Sequence, residues 1–126
     1  MAKRTMRCGA TRRTQGLVAK VAADRERAGV LAGVLRALGN PARLRILAYL
    51  LGCGERTVTD ISASLGLAQA VTSQQLSALR LNGLLQVRRD GGSRRYSVAL
   101  PVVGDLLGCL ARCYEEHGGR LARGES

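Results

Sequence analysis

The chain has 126 residues, 46% of them apolar, with a formal net charge of +11. That length holds one domain and little else, and no apolar run approaches the roughly twenty residues needed to span a bilayer, which argues against a membrane protein. Tyr49, Tyr96 and Tyr114 are the only aromatic residues, so the core must be built from Leu, Val, Ile and Ala, and such small cores are often completed by a partner subunit.

In chain order, Lys3, Arg4, Arg7, Arg12, Arg13 and Lys20 fall in a stretch that contains no acid. Residues 1–22 are expected to form a disordered basic arm that either adds phosphate contacts or only solubilises. Lys20 interrupts the apolar stretch Leu17 to Ala23, so no secretory signal is expected. The compartment implied is the cytoplasm, where thiols stay reduced.

Asp24 to Leu38 reads as a helix, with Leu31, Val34, Leu35 and Leu38 at helical spacing. Gly39 stops it, and Asn40-Pro41 starts another by N-cap and first-turn preference. That second helix runs to about Leu51, with Leu44, Leu47 and Leu51 facing one way and Ile46 and Leu50 flanking. Gly52-Cys53-Gly54 ends it. Thr57 to Asp60 carries a cap and a first-turn acid, opening a short helix that closes at Gly66. A fourth helix, from about Gln69 to Asn82, is expected to bury Val71, Leu76 and Leu79, and Gly83 terminates it. The period then changes to two: Leu85 and Val87, then Tyr96 and Val98, alternate with polar residues around Asp90-Gly91-Gly92-Ser93, which indicates a β-hairpin. Pro101 opens a last helix to about His117, with Val103, Leu106, Leu107, Leu110 and Tyr114 as its stripe. The tail 118–126 is expected to fray. The fold class is mainly α with a small β-hairpin (α+β), and residues 23–117 form the domain.

Two helices joined by a tight turn near Gly66 make a helix-turn-helix, whose second helix enters the major groove. Its early residues are Gln69, Ala70, Thr72, Ser73, Gln74 and Gln75. Gln suits adenine, Ser and Thr suit either base-pair type, and the Thr methyl suits thymine. An ordinary exposed helix would carry Glu and Lys pairs, and this one has no charged residue before Arg80, which joins the DNA-contact candidates. On the hairpin Arg88, Arg89, Arg94 and Arg95 are opposed only by Asp90. Arg88, Arg94 and Arg95 are taken as contacts to phosphates or the minor groove, against the alternative of a charged edge that discourages strand pairing.

Leu38-Gly-Asn-Pro-Ala-Arg-Leu-Arg-Ile-Leu47, Gln69-Ala-Val-Thr-Ser-Gln-Gln-Leu76 and Leu79-Arg-Leu-Asn-Gly-Leu84 resemble the ArsR/SmtB family of prokaryotic repressors over roughly residues 25–117. The resemblance implies a winged helix-turn-helix homodimer associated with the nucleoid, its first and last helices pairing across the two-fold axis. It also implies repression relieved by a metal, a metalloid or thiol chemistry. The positions of the family's arsenic- and lead-type cysteines are Thr57 and Thr59 here, so that site is absent. The last helix offers Asp105, Cys109, Cys113 and His117 rather than the family's zinc pattern. The recognition helix is similar to that of the persulfide-responsive branch. That branch's second-helix cysteine aligns with Ala48; Cys53 lies five residues later, and Cys113 about two before the late position.

The four cysteines, Cys8, Cys53, Cys109 and Cys113, form no CxxC pair, which sets aside zinc-ribbon and thioredoxin patterns. Cys109, Cys113 and His117 are spaced i, i+4, i+8 along one side of the last helix. Two thiolates and an imidazole suit a soft or borderline metal or metalloid, with Cys53, Cys8 or a partner chain as a further ligand. The same thiols could instead be oxidised or persulfidated, or be packed interface residues. Cys53, Cys109, Cys113 and His117 are thus the effector candidates. No orienting group or pocket supports a thiol enzyme. The expected function is a repressor that binds an inverted-repeat operator in double-stranded DNA as a homodimer. The alternatives are a constitutive architectural DNA-binding protein and a winged-helix protein-interaction module.

Overall fold

A computed structural model describes residues 12–123 of the chain. Six helices and one hairpin follow in the order α1 (Arg12–Ala23), α2 (Arg25–Leu38), α3 (Pro41–Cys53), α4 (Val58–Leu65), α5 (Gln69–Leu81), β1 (Leu85–Asp90), β2 (Ser93–Val98) and α6 (Val102–Arg123). These divide into two compact units, Gly29–Gly104 and the described residues up to Ala28 together with those from Asp105 on.

The unit Gly29–Gly104 contains the core: Ala37, Leu38, Ile46, Leu47, Leu50, Ile61, Leu76, Leu79, Leu84, Leu85, Tyr96 and Val103 are buried. Each of its elements begins and ends on recognisable chemistry. Asn40 accepts a hydrogen bond from the Arg43 amide at 3.2 Å and Pro41 occupies the first turn of α3, which satisfies one otherwise orphan N–H and omits another. Thr57 accepts from the Asp60 amide at 3.2 Å to start α4. Gly66 ends α4 at φ 68, ψ 33, left-handed backbone that favours glycine. After α5 the Gly83 amide donates to the Arg80 carbonyl and the Leu84 amide to the Leu79 carbonyl. That is the paired closure that satisfies the last carbonyls of a helix and brings two apolar residues together.

The helical stripes differ from the sequence expectation by about one position. In α3 the buried residues are Ile46, Leu47 and Leu50, and Leu51 is exposed. In α5 they are Thr72, Leu76 and Leu79, whereas Val71 is 39% exposed. The set 72, 76, 79 is a true i, i+4, i+7 stripe. Thr72 can join it because its hydroxyl donates to the Ala68 carbonyl at 3.0 Å, so no polar atom is buried unsatisfied.

The hairpin is antiparallel in the register Leu85↔Val98 to Asp90↔Ser93. Gly91 and Gly92 form its two-residue turn at φ 56 and 91, the positive values that a turn matched to strand twist requires. Arg56 adds a third, one-residue rung: its N–H and C=O exchange hydrogen bonds with Tyr96 at 3.1 and 2.8 Å. This link between α3 and α4 had no signal in the sequence.

In the other unit, α1 covers Arg12–Ala23, so the second half of the arm expected to be disordered is helical; residues 1–11 lie outside the described residues. None of its residues is buried. The last helix also runs further than expected, to Arg123, but breaks at His117 (φ −132, ψ 18), where the reading ended it. No described helix is long and apolar enough to cross a membrane.

Candidate nucleic-acid interface

The outer face of α5 is set by what holds the inner face. Thr72, Leu76 and Leu79 are buried, and at 100° per residue Ala70, Gln74, Ser77 and Leu81 fall on the opposite side with Ser73 on its flank, where each is exposed. Gln69 is exposed too, and its amide nitrogen lies 3.4 Å from the Thr59 hydroxyl, tying the start of α5 to the start of α4. The C-terminal end of α4 is held from α3, since Arg45 donates to the Leu65 carbonyl at 2.9 Å. Tyr49 and Ser64 share a hydroxyl–hydroxyl bond of 3.0 Å across the same pair of helices. The two helices of the motif are therefore braced against α3, and the first turns of α5 stand out as a polar surface without a carboxylate.

Two expected contact residues are turned elsewhere. Thr72 is fully buried in the core and cannot reach a base. Gln75 is half-buried and accepts from the Arg43 guanidinium at 2.7 Å, while the same guanidinium donates to the Ala37 carbonyl at 3.2 Å. That side chain serves the packing of α3 against α5. Gln69, Ala70, Ser73 and Gln74 remain as the outward set, with exposed Arg80 later on the same helix.

The wing arginines separate into two classes. Arg88 grips Glu55 with Nε at 3.0 and 3.2 Å from its two oxygens and Nη2 at 2.8 Å from Oε1. Its hydrogen bonds, aided by the charges of Arg88 and Arg95, hold the Glu55 carboxyl below the usual carboxylate range against the opposing push of desolvation. The same pairing raises Arg88 further. Arg95 donates to Asp90 at 3.1 Å. Arg88, Arg95, Asp90 and Glu55 thus form a locally neutral cluster, and expecting Arg88 and Arg95 to be open cations counted Asp90 but not Glu55. Arg94 is exposed, and so is its cross-strand neighbour Arg89. Among the described residues neither has an ion pair. Arg89, named with the wing cluster but left out of the expected contacts, is as open as Arg94.

The effector candidates are not gathered. Cys53 is exposed, and Cys109 and Cys113 are half-buried on α6. His117 is exposed at the helix break, so the straight i, i+4, i+8 line ends in a kink. Among the described residues no three His, Cys, Asp or Glu side chains are placed to hold a metal ion, and Cys109, Cys113 and His117 do not form the metal site their spacing suggested. The Arg112 guanidinium does lie 3.4 Å from the Cys109 sulfur.

Residues 40–87 match the model for bacterial regulatory proteins of the arsR family. The chain is 39% identical to the crystal structure of NolR from Sinorhizobium fredii, covering 71% of this chain and 89% of that one with a TM-score of 0.66. The chain belongs to the arsR family. A second structure, the homodimeric winged helix-turn-helix DNA-binding domain from Mycobacterium bovis, is 29% identical with a TM-score of 0.61, over 89% of this chain and 93% of that one. A Streptomyces lividans protein described as "Probable mercury resistance operon repressor" is 45% identical over 78 residues; these make up 62% of this chain and 61% of the relative's length. The chain therefore matches about three-fifths of that relative. The Streptomyces lividans relative is described as a repressor and the Mycobacterium bovis domain as a DNA-binding winged helix-turn-helix. The arsR match covers α3, α4, α5 and the first residues of β1. The remaining wing residues and the cysteines of α6 must be read from their own geometry.

Proposed function

We propose that this chain is a sequence-specific DNA-binding transcriptional repressor that acts as a homodimer on an inverted repeat. The observation that carries the reading is the exposed, uncharged face of Gln69, Ala70, Ser73 and Gln74 on a helix braced from behind by α3 and α4. Amides and hydroxyls there match the donor and acceptor pattern of the major groove. The winged arrangement places an arginine-bearing hairpin after that helix for backbone contacts. A homodimer is supported by the named Mycobacterium bovis domain and by apolar side chains left open in the single chain. Leu31 and Leu35 are exposed on α2, and Leu110 and Tyr114 on α6 at 52% and 61%. Two recognition helices related by two-fold symmetry would meet half-sites about 34–36 Å apart.

The repressor is released, in this reading, by chemistry at the thiols of Cys109 and Cys113. The Arg112 guanidinium lies 3.4 Å from the Cys109 sulfur, and thiols react with soft metals, metalloids, persulfides and oxidants alike through the thiolate. The mercury-linked name of the Streptomyces lividans relative is consistent with a soft electrophile. Release requires that the altered dimer bind DNA more weakly than the unaltered one.

Fluorescence anisotropy with the chain's own upstream DNA at fixed salt tests both parts. Gln74→Ala should cost about 1–3 kcal/mol of discrimination at one base pair; unchanged affinity and sequence preference would remove α5 as the reading helix. Inducer-independent binding to many sequences would indicate an architectural protein, and only weak, sequence-independent binding an interaction module. Mercury, arsenite, persulfide and peroxide arms distinguish the effectors, and full response by a Cys109→Ser/Cys113→Ser variant would exclude those thiols.

A further inference from the structure

Pairing in the wing follows the pleat. Side chains alternate between the faces of a strand, so Arg88, Asp90, Ser93 and Arg95 share one face, and Arg89 and Arg94 share the other with Val87 and Tyr96. On the first face each arginine has a carboxylate at 2.8–3.1 Å. Glu55 is not a loose side chain that happens to reach Arg88. Its neighbour Arg56 is fixed to Tyr96 by two backbone hydrogen bonds, so the carboxylate is delivered along a third rung of the sheet, and its three contacts have the fork geometry that makes an exposed pair count.

On the second face Arg89 and Arg94 stand directly opposite each other across the strands. Directly opposed residues have their β-carbons about 4.5–5.5 Å apart, and like charges in that position repel. Among the described residues no acid is paired to either, so an anion placed between the two side chains would relieve the repulsion. The turn beyond them is Gly91-Gly92, so no bulky side chain blocks approach from the tip.

We infer that Arg89 and Arg94 form a two-pronged site for a backbone phosphodiester, and that Glu55 withholds Arg88 from that role. The ligand is a nucleic-acid phosphate, bound without regard to base sequence. The inference rests on the DNA-binding reading but divides its charges: two wing arginines bind and two are internally neutralised.

The test is the salt dependence of binding by the full chain, measured by anisotropy on a mixed-sequence duplex and on the upstream DNA. Each phosphate neutralised contributes about −0.9 to the slope of log K against log salt. Because the two prongs share one phosphodiester, Arg89→Ala, Arg94→Ala and the double variant should all flatten the slope by about the same 0.9 per bound chain. Arg89→Lys should restore the slope, and unchanged urea midpoints would show that folding is intact. Arg88→Ala should leave the slope as it is, while Glu55→Gln should steepen it by about 0.9 as Arg88 is released. If Arg88→Ala flattened the slope as much as Arg89→Ala, or Glu55→Gln changed nothing, the division would be wrong. Lost preference for the upstream DNA with the slope pattern intact would overturn the repressor reading alone. An altered slope pattern with preference intact would overturn this inference alone.

Discussion

Glu55 lies in a link between two helices that carries neither a periodic pattern nor a turn signal, and its role is visible only in three dimensions. Its carboxyl is held below the ordinary value of 4.5 by the hydrogen bonds of Arg88. A carboxylate whose folded pKa is lowered contributes stability above its unfolded pKa and loses that contribution as pH falls through the folded value. The wing pair should therefore persist at neutral pH and release Arg88 only in acid. A carboxyl-detected NMR titration should place the Glu55 midpoint lower in the native chain than in Arg88→Ala. Equal midpoints would show that the pair does not persist in solution. Thr72 shows the opposite limit of residue-level reading. Its hydroxyl marks it as polar in a pattern, and only the bond to the Ala68 carbonyl makes it a core residue. Ser73 and Gln74 were legible as exposed positions because the buried stripe of α5 lies elsewhere on the helix. Gln75 was not, because its partner Arg43 lies 32 positions away in the chain.

At the level of elements the sequence carried most of the information, because caps and turns are local chemistry. Asn40-Pro41, Thr57, Gly66, Gly83 and the paired glycines of the wing each mark a boundary within about a residue of where it falls. The ends of the chain were less legible. Residues 12–23 lack an acid in the first turn and bury nothing, so no stripe or cap identifies them. Past His117 the chain resumes helical geometry across a break that reads as an end. Gly66 permits a quantitative check of the motif's turn. A β-carbon there would meet no atom within 4 Å, so an alanine suffers only from the positive φ of 68. Gly66→Ala should lower stability by about 1–2 kcal/mol through backbone conformation alone. A urea midpoint unchanged from the native chain would mean the turn adopts another geometry.

At the scale of the whole molecule the proposed homodimer makes a prediction. The buried core lies within Gly29–Gly104, and Leu31, Leu35, Leu110 and Tyr114 remain open. If those on α6 are covered by a second copy, their loss should be read in the oligomeric state. Leu110→Glu should shift the protein toward monomer in sedimentation experiments while leaving the helical circular dichroism largely intact. It should also weaken operator binding more than binding to a half-site. A variant that stays dimeric would move the interface away from that stretch of α6. The family was legible from three motifs, all within residues 38–84, and the matched region lies largely there too. The effector was not, since Cys109 and Cys113 lie outside that region and spacing along a helix does not bring three ligands to one point.

The wing arginines come as two adjacent pairs, Arg88-Arg89 and Arg94-Arg95, and the pleat alternates with a period of two. A one-residue insertion or deletion upstream in either strand would exchange the faces of its two arginines, yet each strand would still present one to each side. The identities would swap and the count would not. Doubling the arginine makes the outward charge of the wing insensitive to register. Only Glu55, anchored to one rung, would have to find a new partner.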